Sequence, residues 1–180
     1  MATPPTFSSG AVLTAAQMNA VGLWLVKTQT IGTGVTTENV AGAFSTDFDN
    51  YKIVVSKVAV SATGSSAFLK FGGSTGLTYF ANGWYMTPSS GTLNPLNFNG
   101  VNTGVWLGIS GGTTSWSFDV CSPFLASATN VVGMSAGSGA NYYNNFVGSD
   151  SNAVSHTAFS LTQATSNWTG GTIAVYGYRK

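Results

Sequence analysis

Ionised side chains are scarce in this chain. Six of its 180 residues are Lys or Arg and five are Asp or Glu, so charged residues make up 6%, against about 25% in an average soluble domain. A folded chain of this length exposes roughly 8,000 Å², which leaves each charge alone on roughly 700 Å². Small soluble monomers carry a denser charge pattern, so the composition predicts that much of the surface is covered by sister subunits or a larger assembly. The formal net charge is +1, and Lys27, Lys52, Lys57, Lys70, Arg179 and Lys180 are scattered. They cannot neutralise a run of phosphates, so nucleic-acid binding is not expected.

Cysteine is nearly missing too. Cys121 stands alone, which excludes an intrachain disulfide and a cysteine-based zinc site from one chain. The longest apolar run covers residues 21–26, far short of the ~20 residues of a membrane helix. No basic stretch followed by an apolar core and a cleavage site opens the chain, so the expectation is a soluble protein made in the cytoplasm, without membrane insertion. His156 is the one histidine. A metal or general-base role would need a partner from another subunit, so a core or solvated histidine is expected, with three copies meeting on a trimer axis as the alternative.

Carboxylates are equally few. Asp47 and Asp49 in STDFDNY lack the Gly-spaced loop and distal Glu of a calcium site, and a turn leading into the strand, in which Asp49 and Asn50 bond nearby backbone N–H groups, accounts for them better; a metal shared across subunits is the open alternative. A glycosidase pair would have to come from Glu38, Asp47, Asp49, Asp119 and Asp150, and none stands in a sequence setting that suggests a raised pKa. Gly108-Ile109-Ser110-Gly111-Gly112 matches G-x-S-x-G, with Asp150 and His156 following in hydrolase order, but that elbow needs a strand-to-helix turn. Residues 110–115 lead into another strand pattern instead, so Ser110 reads as a turn residue. Asn167-Trp168-Thr169 has the form of a glycosylation sequon and reads as part of a turn. The chain is expected to be no enzyme, with no cofactor and no metal.

What is abundant is the period of two. Tyr51, Ile53 and Val55 alternate with Lys52 and Val54 before Val58 and Val60, the pattern of one long strand. Further strands are predicted over residues 68–71, 106–109, 116–120, 131–134, 142–147, 157–161 and 172–178. Clusters such as SATGSS, FGGSTG, TPSSG, SGGTT, SAGSG, GSDSN and SNWTGG read as the turns between them. With no crossover helix to cover a parallel sheet, the fold class is all-β, an antiparallel β-sandwich of jelly-roll type. Thr14 and Gln17 form a capping box, predicting a short helix over about residues 15–21 that runs into a first strand. The division is residues 1–27 as an N-terminal segment and 28–180 as the β-sandwich head. Aromatics make up 13% of the chain; Tyr79, Phe80, Trp84, Tyr85, Tyr142, Tyr143, Phe146 and Trp168 fall outside clean alternation and suit subunit contacts or a ligand surface.

Three stretches carry a resemblance: TPPTFSSGAVLTAAQMNAVGLWLVKTQTIGTGV at the front, FSTDFDNYKIVVS in the middle and FSLTQATSNWTGGTIAVYGYRK at the close. Together they are similar to small tail-fibre-like or minor tail proteins of double-stranded DNA bacteriophages, while residues 75–150 match nothing recognisable. The resemblance implies a virion structural protein, on the tail or head surface of the particle, commonly a homotrimer with an attachment segment and a β-rich head. On that reading Phe7, Val12, Leu13, Met18, Val21 and Trp24 dock against other virion proteins or a neighbouring subunit, the alternative being that this segment packs across its own sandwich. Loops around Tyr79, Trp84, Tyr85, Tyr142, Tyr143 and Asn144 would contact a host-surface glycan. A capsid decoration protein that clamps the phage head is the alternative function.

Overall fold

In the computed structural model the described residues are 10, 22–74, 76–87, 89–101, 103–138 and 142–178. Among them no residue is helical. The helix expected over residues 15–21 lies outside the described residues, as do Phe7, Val12, Leu13, Met18 and Val21.

Thirteen strands follow in order: β1 (Leu23–Thr30), β2 (Thr33–Val35), β3 (Thr37–Val40), β4 (Asn50–Val60), β5 (Ser65–Phe71), β6 (Tyr79–Thr87), β7 (Thr92–Val101), β8 (Val105–Ser110), β9 (Thr113–Cys121), β10 (Thr129–Gly137), β11 (Tyr143–Asp150), β12 (Phe159–Gln163) and β13 (Trp168–Tyr178). They form a large sheet in the order β1-β13-β4-β9-β10-β11-β6-β7, with β2 also on β13, and a small sheet in the order β3-β12-β5-β8. Every pairing is antiparallel. The expected antiparallel sandwich is therefore present, divided nine strands against four. β1 crosses the division drawn after Lys27, so Leu23 to Lys27 belong to the sandwich rather than to a separate segment.

The alternation read from the sequence sorts side chains between the sheets and solvent. Tyr51, Ile53 and Val55 of β4, Trp116, Phe118 and Val120 of β9, and Ile173 and Val175 of β13 are buried. Facing them are Leu69 and Phe71 of β5, Leu107 of β8, and Phe159 and Leu161 of β12. Two indoles bridge the sheets, because a buried N–H needs an acceptor. Trp116 Nε1 donates to the Leu107 carbonyl at 2.9 Å and Trp168 Nε1 to the Leu161 carbonyl at 3.2 Å, and their rings meet edge to face 6.1 Å apart.

Several turn readings give way to strand. SNWTGG opens β13 with Trp168 buried, and its two glycines, at φ +140° and +132°, sit where the ladder shifts register. The glycine pair is a bulge, a use of positive φ that leaves the strand intact. SAGSG and GSDSN likewise begin inside β10 and β11. The β6–β7 hairpin was not expected at all: β7 carries Asn94, Pro95, Asn97, Asn99 and Gly100, residue types depleted in strands. It lies at the rim of the large sheet, where an edge tolerates proline.

Candidate functional site

Strand registry places three rows of side chains on the outer face of the large sheet. Val54, Ser117, Met134, Asn145, Trp84 and Pro95 form one row. Lys52, Asp119, Val132, Val147, Asn82 and Asn97 form the next, and Ser115, Ala136, Tyr143, Met86 and Leu93 the third. Met134 is 60% exposed, Val147 52% and Val132 51%, far from the fate of most apolar side chains at the middle of a sheet. Trp84, Tyr143, Leu93 and Phe80 are exposed as well.

The three rows hold one cation and one carboxylate, and these pair with each other: Lys52 Nζ lies 3.5 Å from Asp119 Oδ2, and the Tyr178 hydroxyl donates to Asp119 Oδ1 at 2.6 Å. That hydrogen bond, with a smaller contribution from burial, pushes the Tyr178 phenol up to about 12. Burial, then the Asp119 charge, pushes the neighbouring Cys121 thiol up, which disfavours its reactive thiolate. Between Trp84, Met134 and Tyr143 runs a shallow, mainly apolar groove of about 460 Å³, reaching Val54, Trp116 and Asn145.

Of the six residues assigned to receptor loops, all but Tyr142 lie on strands, and only Trp84 and Tyr143 are exposed. Tyr79 is 1% exposed: Phe71 N–H donates to its hydroxyl at 2.8 Å, and burial raises its phenol pKa. Tyr85 and Tyr142 turn toward the core and pack on each other, centroids 5.8 Å apart. Asn144 is buried and structural. Its Oδ1 accepts from Ile109 N–H at 2.9 Å, while its Nδ2 donates to the Ile109 carbonyl at 3.2 Å and to Ser135 Oγ at 2.7 Å. β8 ends the small sheet, so its outward backbone groups lack a strand partner, and one amide side chain takes that place. Of the docking residues only Trp24 is described. It is half-buried on β1, opposite Gly177.

The candidate hydrolase residues do not assemble. Ser110 is fully buried and its hydroxyl bonds to the Ser65 carbonyl and to Gln163 Oε1. His156 and Asp150 do meet, both fully buried, with Nε2 3.4 Å from Oδ2. His156 Nδ1 donates to the Gly72 carbonyl at 2.9 Å, and the ring stacks on Phe71. Asp150 accepts from Ser74 Oγ and from Asn152 N–H. The pair ties the segment after β5 to the one after β11. Complete burial inside one protomer prevents three copies of His156 from meeting on an axis, which corrects that alternative. The burial of Asp150 has no signal in the sequence: nothing in GSDSN marks a carboxylate removed from water. Asp47 bonds with Ser45 in an exposed turn, Asn50 Oδ1 accepts from the Ser122 N–H at 3.3 Å, across the sheet rather than within its own turn, and among the described residues no cluster of three or more His, Cys, Asp or Glu side chains forms a metal site. No protein-family model and no curated protein matches this chain.

Proposed function

We propose that this chain is a bacteriophage virion structural protein of tail-fibre or minor-tail type, assembled as a homotrimer and displayed to recognise a host-surface glycan. The observation that carries the assembly part is the outer face of the large sheet. Six strands about 4.8 Å apart, with the three rows spanning about 5 residues rising about 3.4 Å each, make a patch of roughly 500 Å² before side-chain relief. A standard interface covers about 800 Å² per partner, and exposed apolar patches of several hundred Å² mark interaction sites. A sister subunit is the occupant that fits, because a face whose two charges already neutralise each other offers no steering to a charged partner and no repulsion to its own copy. The virion part is supported by the resemblance of the end segments.

Sedimentation of the whole chain tests the assembly. A trimer is expected, and Val132→Lys with Met134→Lys should release protomers whose β-rich circular dichroism is unchanged; a wild-type monomer at high concentration would overturn the reading. Labelling intact particles then separates tail from head, a head location favouring the capsid decoration function. Deleting residues 1–22, which precede β1, should leave the sandwich folded and prevent incorporation into particles. An unfolded truncation would show instead that the segment belongs to the core.

A further inference from the structure

The outer face of the small sheet differs in chemistry from that of the large one. Registry sets Thr37 beside Thr162 and Thr162 beside Phe68, while Ser160 stands between Asn39 and Lys70. The Thr37 and Thr162 hydroxyls are 3.2 Å apart. A cleft of about 530 Å³ opens here, lined by the polar Thr37, Lys70, Ser160 and Thr162 and by the apolar Phe68 and Ala164, with Gln163 at its edge. A second hollow of about 220 Å³ adjoins it, sharing Lys70 and Ser160 and adding Asn39 and Ser74 beside the apolar Val40, Ala41 and Ala158. Gln163 Oε1 accepts from two serine hydroxyls, while its Nε2 is buried with no hydrogen-bond partner.

The four strands of this sheet hold one cation and one carboxylate. The carboxylate, Glu38, is turned away toward β1 and the turn that follows it, where Gln29 Nε2 and the Gly32 N–H donate to it. Lys70 Nζ has no ion pair or hydrogen bond among the described residues. We infer that this double hollow binds a sugar chain carrying a negatively charged group, the charge on Lys70 and neighbouring sugar hydroxyls on Thr37, Asn39, Ser160 and Thr162. Hydroxyls and amides both donate and accept, as sugar hydroxyls do. A single lysine is too little for a nucleic-acid backbone. The inference rests on the receptor reading above and moves the recognition surface to the face opposite Trp84 and Tyr143, leaving those two for subunit contact.

The test is binding of the full chain to an array of acidic oligosaccharides, uronate- and sialate-bearing, alongside their carboxyl-reduced forms and competition by inorganic phosphate. Selective binding of acidic chains is expected, with Lys70→Gln weakening it about tenfold or more, as loss of a charged hydrogen bond does. Lys70→Arg should restore it, and Lys70→Gln should still enter particles. Competition by phosphate as strong as by the acidic sugar would show an anion site without sugar contacts and overturn the inference. So would loss of binding in Trp84→Ala with Tyr143→Ala while Lys70→Gln binds normally, a result that leaves the receptor reading standing. Absence of any acidic glycan binding by the assembled trimer overturns the inference as well, whereas failure of labelling to find the chain on any particle strikes the virion reading and not the cleft.

Discussion

Replacing Gly133 with alanine tests how closely the large sheet is packed. On the inner face, Gly133 of β10 lies between Phe118 of β9 and Phe146 of β11 in a single row, and the two phenyl rings meet above it at 6.1 Å and 62°. A Cβ at this position would stand 2.3 Å from Phe118 Cβ, 2.7 Å from the Ser117 carbonyl oxygen and 2.8 Å from Phe118 Cα. Ordinary antiparallel neighbours keep Cβ atoms about 4.5–5.5 Å apart. Two of these three obstacles are backbone, so β9 or β10 must move rather than a flexible side-chain tip. Overpacking of this kind costs about 1–3 kcal/mol, and separating the rings adds about 0.5–1.5 kcal/mol. At about 2–4 °C per kcal/mol for a chain of this size, the melting temperature should fall by roughly 5–15 °C. Thermal unfolding followed by near-ultraviolet circular dichroism measures it. Gly32→Ala is the control, since its added methyl meets nothing closer than Val35 Cγ2 at 3.4 Å and the change also restricts the unfolded chain. If Gly133→Ala melts within about 2 °C of wild type, less than the smallest cost assigned here, the close approach has no energetic meaning and the reasoning fails.

Two further outcomes are expected. Asn144→Ala leaves the N–H and carbonyl of Ile109 buried without their partner, at about 1–3 kcal/mol for each unsatisfied group; a urea unfolding midpoint equal to that of wild type would show that Asn144 does not complete the β8 edge. Tyr178, with its pKa raised from 10.0 to about 12, gives a pH signature. Because the folded state holds this proton more tightly than the unfolded chain does, the stabilisation is fully present below pH 10 and is lost as pH rises toward 12. The difference in urea midpoint between wild type and Tyr178→Phe should therefore shrink between pH 9 and pH 11.5, and a difference that stays constant would count against the Tyr178–Asp119 bond.

The sequence by itself determined the class of fold and the long central strands. Alternation in YKIVV and SWSFDV is a local property, and in a sheet it sorts side chains between two faces whatever the partner strand. It also determined the shortage of charge, and with it the expectation of a covered surface. Tertiary structure decided what each face meets. Met134, Val132 and Val147 alternate as well as any core residues, yet they lie outside, because one sheet has two faces and only one is covered by the four smaller strands. Asn144 went inward for a reason held by a distant residue, Ile109, 35 positions away, which no local window contains. The β7 edge escaped notice because strand propensity counts for less where nothing pairs on one side. The hydroxyl-lined cleft depends on β3, β12 and β5 lying side by side, segments separated by tens of residues in the chain. Pairing over such distances is set by the packing of the whole domain, and a pattern of period two carries no record of it.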